Sequence, residues 1–236
     1  LAIFSQVLAH LLFVYLVVLE PLLGARFYGR LMRQLVGVPG ARLRYYRMLI
    51  AWEWTWVLIL ALILIPVARP LAALGLRAPV YQQVVLGLLV GMGVGLGISV
   101  VAVALTPRLR KRFEGSLQRV AGLLPATHRE RWLYAGVALT AGICEELVFR
   151  GFLFHYLQGW GLTIWPVVVL TGILFGIGHI YQGVAGAAQA GALGVAFGAL
   201  YALSGSILPG MVIHALIDLR VLALWRPNAR VEPVQG

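Results

Sequence analysis

Apolar stretches long enough to cross a bilayer recur along most of this 236-residue chain. A crossing helix takes about 20 predominantly apolar residues. Seven stretches qualify, at roughly 4–23, 48–67, 84–105, 132–157, 162–181, 184–203 and 207–225 by the same length rule. Soluble domains carry about 25% charged residues; here the share is 11%, against 61% hydrophobic. No soluble core hides that much apolar surface, so lipid must be the solvent for much of it. The expected fold is therefore all-α, a polytopic transmembrane helix bundle of 7–8 spans. It forms a single integral membrane domain over 1–236, with N-terminal spans in 1–131 and a compact bundle in 132–225.

The basic residues orient this bundle. Net charge is +11, and Lys111 is the only lysine. Arg26, Arg30, Arg33, Arg42, Arg44 and Arg47 follow the first stretch, and Arg108, Arg110, Lys111, Arg112, Arg119, Arg129 and Arg131 follow the third. The connection after the second stretch holds only Arg69 and Arg77. Basic loops stay cytoplasmic, which puts the N-terminus outside and the tail, with Arg226 and Arg230, in the cytoplasm. The arginine bias reads as genome composition, and the expected location is a prokaryotic cell membrane, multi-pass. No basic region is long enough or aromatic-laced enough for nucleic acid. No charged n-region with a cleavage site marks a signal peptide.

Several features have local readings. Leu31, Met32, Leu35 and Val36 interleave with arginines as an interfacial amphipathic piece, which turns at Pro39-Gly40. Glu20, beside Pro21, is expected at the interface. Trp52, Trp54 and Trp56 read as an aromatic belt, and Glu53 among them as solvated or paired with an arginine. Gly87, Gly91 and Gly95, with Gly93 and Gly97, suit close helix approach in lipid. His10 and His128 need no special role. The single Cys144 reads as a small apolar packer.

The costly residues lie in the last four stretches. A charged side chain near a bilayer centre costs roughly 2.5–3.5 kcal/mol on insertion scales, and such residues usually face a protein interior and serve function. Glu145, Glu146 and Arg150 interrupt one apolar run. Glu146 and Arg150 stand one helical turn apart in the favourable order for an ion pair. Glu145 points about 100° away at 3.6 residues per turn and has no local partner. It is the carboxyl suited to general acid–base work. Phe175 and His179 share a face of the next stretch, where Gly172, Gly176 and Gly178 leave the helix thin. His214 and Asp218 share a face of the last, where the carboxylate can set the imidazole tautomer.

These motifs resemble one family. Glu-Glu-Leu-Val-Phe-Arg at 145–150, Phe-Gly-Ile-Gly-His at 175–179 and His-Ala-Leu-Ile-Asp at 214–218 look like the E-E-x-x-x-R, F-x-x-x-H and H-x-x-x-N/D motifs of the CPBP (Abi/CAAX-protease) family. They stand in the family's order, with one plain span between the second and third. The resemblance covers roughly residues 130 to 220. Relatives of the type II CAAX prenyl endopeptidase are described with eight helices, one more than the stretches counted here. A missing terminus or a re-entrant segment would account for the difference.

The resemblance implies a glutamate-dependent intramembrane endopeptidase with a membrane-embedded polar cavity. By carry-over Glu145 is the general base, His179 holds the water, and His214 and Asp218 stabilise the oxyanion. Glu146 and Arg150 support the site, with Phe175 beside them. Asp218 departs from the family's frequent Asn, because an ionised carboxylate would repel an oxyanion. The implied partner is a membrane-associated peptide or protein, lipid-modified or with a hydrophobic end. No metal or other cofactor is expected. Zinc at the same Glu, His, His and Asp is the rival chemistry, since two His and a carboxylate with bound water form a known catalytic set; no H-E-x-x-H is present. The alternative function is a non-catalytic membrane partner, such as a bacteriocin-immunity or sensor-modulating protein of the same family. A proton-coupled transporter is disfavoured by the lack of an inverted repeat.

Overall fold

The computed structural model describes residues 2–35, 37–64 and 71–225. Val36, Arg69, Arg226, Arg230 and the end of the second apolar stretch lie outside them. Among the described residues there are eight helices and no strand. Helix α1 covers 2–34, with a π-helical turn at Tyr15–Leu19; α2 is Ala41–Leu64, α3 Gln82–Leu105 and α4 Pro107–Leu117. Helix α5 covers 128–158 and turns π-helical at Leu147–Leu153. Helices α6, α7 and α8 are Ile164–Gly178, Gly183–Ser204 and Leu208–Leu224. Seven of the eight correspond to the seven apolar stretches; α4 is the short extra one. Ile3–Gln34, Ala41–Leu64, Gln82–Leu105 and Ile180–Ser204 are long and apolar enough to cross a membrane. The chain is a polytopic helical membrane bundle.

The arginine-rich segment after the first stretch is not a separate interfacial piece. It continues α1 without a break to Gln34. Pro21, which lacks an N–H, follows directly on the π-helical turn at Tyr15–Leu19, where the regular hydrogen-bond ladder is already interrupted.

One end of the bundle is tied together by these basic residues. Thr127 and Glu130 form a reciprocal capping box that starts α5. Arg42 from α2 donates to Glu130 Oε2 at 2.9 Å and to the Gly122 carbonyl at 3.0 Å. Tyr28 donates to the Arg119 carbonyl, Tyr46 to that of Leu123, and Arg131 to that of Leu222. The ends of α1, α5 and α8 and the start of α2 therefore meet there. At the opposite end, Val80 N–H donates to the Ser204 carbonyl at 2.7 Å, and Ile207 N–H to that of Gly75 at 3.0 Å.

Glycines set the helix spacing near the motifs. A Cβ on Gly176 would lie 2.7 Å from the Ala187 carbonyl, and one on Gly172 2.7 Å from Val195 N. The α6–α7 hairpin thus packs backbone on backbone, as small residues in lipid allow. A Cβ on Gly142 would meet Ala215 N at 2.9 Å, where α5 crosses α8. The glycines of α3 behave differently: nothing lies within 4 Å of a Cβ placed on Gly87, Gly91, Gly93, Gly95 or Gly97. Their expected close approach is not realised within this chain, because α3 stands at the bundle's edge with most of its residues exposed.

Candidate active site

Helix α5 carries its two glutamates immediately before the π-helical turn at Leu147–Leu153. Such turns are frequent at functional sites. Glu146 Oε1 accepts from Arg150 Nη1 at 2.8 Å, and both side chains are almost fully buried. Arg150 Nη2 donates to the Gly194 carbonyl at 2.8 Å. The guanidinium also lies over Phe149, Phe175 and Phe197, at 5.9, 5.0 and 5.4 Å from the ring centroids. The expected ion pair is present, and an aromatic cage encloses it. Cations over aromatic faces are stabilised electrostatically.

His214 is held from a different helix than expected. Its Nδ1 donates to Glu146 Oε1 at 3.2 Å. Asp218 does not set the tautomer, because its Oδ2 stands 3.7 Å from His214 Nε2, beyond a hydrogen bond. With Nδ1 committed to Glu146, Nε2 faces Glu145 Oε2, also at 3.7 Å, and Asp218. Phe197 stacks on the ring at 5.4 Å between centroids. Helix α7 is therefore not a plain span: it supplies Phe197 and the Gly194 carbonyl. The available signal was an aromatic residue, one of two with Tyr201, in a helix rich in Ala and Gly. Gly210 leaves room for Glu146, whose Oε2 would lie 2.9 Å from a Cβ placed there.

His179 closes α6. Its Nδ1 donates to the Phe175 carbonyl at 2.8 Å, which leaves Nε2 as the uncommitted nitrogen. Phe175 touches everything nearby, with centroids 4.5 Å from His179, 5.9 Å from His214 and 5.0 Å from Phe149. Depth also agrees. Helix α6 ends at Gly178 instead of running to the basic end. Counted from the opposite end at ~1.5 Å per residue, Glu145 and His179 lie ~20 and ~22 Å deep.

Glu145, His179, His214 and Asp218 all line one cavity of about 590 Å³. Glu145 Oε2 is buried and has no hydrogen-bond partner among the described residues. Glu146 and Arg150 lie behind the cavity wall. Cys144 is fully buried and free, as a packing residue would be. No group of three or more His, Cys, Asp or Glu side chains among the described residues is arranged to hold a metal ion.

Two carboxylates depart from their expected places. Glu53 is neither solvated nor paired with an arginine. It is 7% exposed, its Oε2 lacks a hydrogen-bond partner among the described residues, and it lines the same cavity. Positions 52, 53 and 56 fall on one helical face, so Trp52 and Trp56 line the cavity with it, while Trp54 is 41% exposed. The tryptophans are split between the two faces of α2 and do not form one belt. Glu20 lines the cavity too, with Oε2 3.2 Å from where a Cβ on Gly178 would stand. Single acids outside any recognisable motif gave no signal of this convergence.

Residues 127–220 match a family model described as type II CAAX prenyl endopeptidase Rce1-like. No curated protein and no solved structure matches the chain.

Proposed function

With residues 127–220 belonging to the CAAX-protease family, we propose that this protein is a glutamate-dependent intramembrane endopeptidase. The family supports peptide-bond hydrolysis in the membrane; the residue roles follow the motif resemblance and the geometry of the cavity. One observation carries it. Glu145 Oε2 is buried and free of hydrogen-bond partners among the described residues, beside a cavity that also holds two imidazoles with an uncommitted nitrogen each. A carboxyl left without protein partners in a polar cavity is suited to take a proton from water.

In this mechanism Glu145 removes a proton from a water held by His179 Nε2. The water oxygen attacks the substrate carbonyl carbon, and the oxyanion forms opposite the Nε2–H of His214, which carries a proton on both nitrogens because Nδ1 meets Glu146 and Nε2 faces Glu145 and Asp218. Collapse breaks the C–N bond, and Glu145 returns its proton to the leaving amine. Donors aimed at a developing oxyanion are commonly the largest single contribution to such catalysis. Glu146 and Arg150 act through His214, by fixing its Nδ1 and therefore the direction of Nε2. Asp218 borders the oxyanion region. The substrate is a membrane-associated peptide or protein, lipid-modified near its cleaved end, that enters from the basic face or laterally from lipid.

The test is cleavage of a quenched, membrane-anchored peptide by purified protein. Glu145→Ala is expected to lose cleavage by at least ~10³-fold while eluting and melting as wild type, the scale of losing a principal catalytic group. Asp218→Asn is expected to retain cleavage, since an amide can donate to the oxyanion. A folded Glu145→Ala protein with full biological function would instead favour a non-catalytic membrane partner.

A further inference from the structure

The cavity has a second wall, which lies outside the family-matched region. Helix α1 contributes Glu20 and Gly24, and α2 contributes Tyr45, Trp52, Glu53 and Trp56. Helix α1 brings Glu20 against the backbone at Gly178, next to His179. None of the ion pairs among the described residues includes Glu20 or Glu53. Glu145, Asp218 and Glu20, which line the same cavity as Glu53, are further acids. Of the arginines lining the cavity, Arg119 lies against Gly183 and Arg220 follows Asp218 on α8, and neither forms an ion pair with Glu20 or Glu53. The imidazoles of His179 and His214 line the same cavity from other helices and pair with neither Glu20 nor Glu53.

Ionising a buried carboxyl that has acids for neighbours is costly, and the group stays neutral unless it is paired. A cation from outside would provide that pairing. The donor arrangement indicates which cation. A metal ion needs several oxygen or nitrogen ligands converging at short range, and no such group of three is present among the described residues. Aromatic residues share the cavity lining with the two acids instead: Trp52 and Trp56 flank Glu53 on one face of α2, and Tyr45 and Tyr181 line the same cavity. Aromatic faces attract ammonium and guanidinium groups, and they pack against the apolar stems of Lys and Arg.

We propose that Glu20 and Glu53, with Trp52 and Trp56, form a subsite for a lysine or arginine side chain of the substrate, close to the scissile bond. This assignment rests on the protease reading and adds a specificity to it: the enzyme selects substrates with a basic residue at one position near the cleavage point.

The experiment scans Lys, Arg and uncharged norleucine through each position flanking the cleavage point of the quenched, membrane-anchored peptide, using the full chain. At one position Lys or Arg is expected to exceed norleucine by ~10-fold or more in kcat/KM, and Glu53→Gln to bring that ratio within ~2-fold of unity, a loss of ~1.4 kcal/mol of discrimination. The ratio is internal to each variant, so a general loss of fold or rate does not imitate the result. Equal cleavage of basic and norleucine peptides at every position would overturn the proposal. So would a preference that survives both Glu53→Gln and Glu20→Gln. Binding of the same peptides to the Glu145→Gln protein, read by fluorescence anisotropy, gives a measure independent of turnover. Selective binding of the basic peptide with no cleavage by wild type would keep the subsite and overturn the protease reading. Cleavage with no selectivity would do the reverse.

Discussion

Glu146 Oε1 serves two partners at once, Arg150 at 2.8 Å and His214 at 3.2 Å. Its other oxygen fits only because residue 210 is glycine. This triad explains why two adjacent glutamates have different fates: one is consumed by neutralising a buried guanidinium, and the other keeps a free oxygen. Removing one member of a buried pair strands the other, at about 3–5 kcal/mol, whereas replacing both by apolar residues is often close to neutral. Arg150→Met is therefore expected to lower thermal stability in detergent strongly, and Glu146→Gln/Arg150→Met to recover much of the loss. Both variants should lose activity, because His214 Nδ1 no longer meets an ionised acceptor held in place by the arginine. Equal melting of wild type and Arg150→Met would show that the pair contributes nothing to stability.

Elements determine whether the motif residues can meet at all. Helix α6 is cut short at Gly178, which puts His179 at a hairpin tip level with Glu145. The hairpin closes because Gly172 and Gly176 bring α6 onto the backbone of α7. That contact positions the Gly194 carbonyl under Arg150 and Phe197 over His214. Forcing a side chain into such a contact typically costs about 1–3 kcal/mol through displaced backbone. Gly176→Val is expected to lower the melting point and to cut kcat more than it raises KM, since it displaces His179 and His214 together. Gly91→Val on α3, where a Cβ meets nothing from this chain, is expected to leave the melting point unchanged. Comparable destabilisation by the two substitutions would refute the role assigned to the hairpin.

At the scale of the molecule, the basic residues gather at one end and the cavity reaches toward that end, lined there by Phe113, Ser116 and Arg119. On the positive-inside rule we propose that this is the cytoplasmic face and the side from which substrate enters. Single cysteines test it, because native Cys144 is fully buried and will not label. In intact cells a membrane-impermeant maleimide is expected to label Trp160→Cys, and to label His128→Cys only after permeabilisation. The reverse pattern would invert the topology. Much of this scale was legible in the chain: apolar run length gave the helices, and the arginines gave a common end. The N-terminal helices, however, read in sequence only as further spans, and they supply about a third of the cavity lining.

The residue sequence by itself determined the helical membrane class, the helix positions, the Glu146–Arg150 pair and the three motifs of the site. All of these depend on interactions within a few turns of one helix, or on composition against lipid, and periodicity records both. Tertiary structure alone decided that His214 takes its orientation from Glu146 and not Asp218, that Phe197 joins the site, and that Glu20 and Glu53 face the cavity. These depend on which helix face packs against which, over separations such as the 92 positions from Glu53 to Glu145. A lone glutamate in an apolar helix looks the same in sequence whether it meets an arginine, water or an acidic cavity; only the packed neighbour distinguishes them.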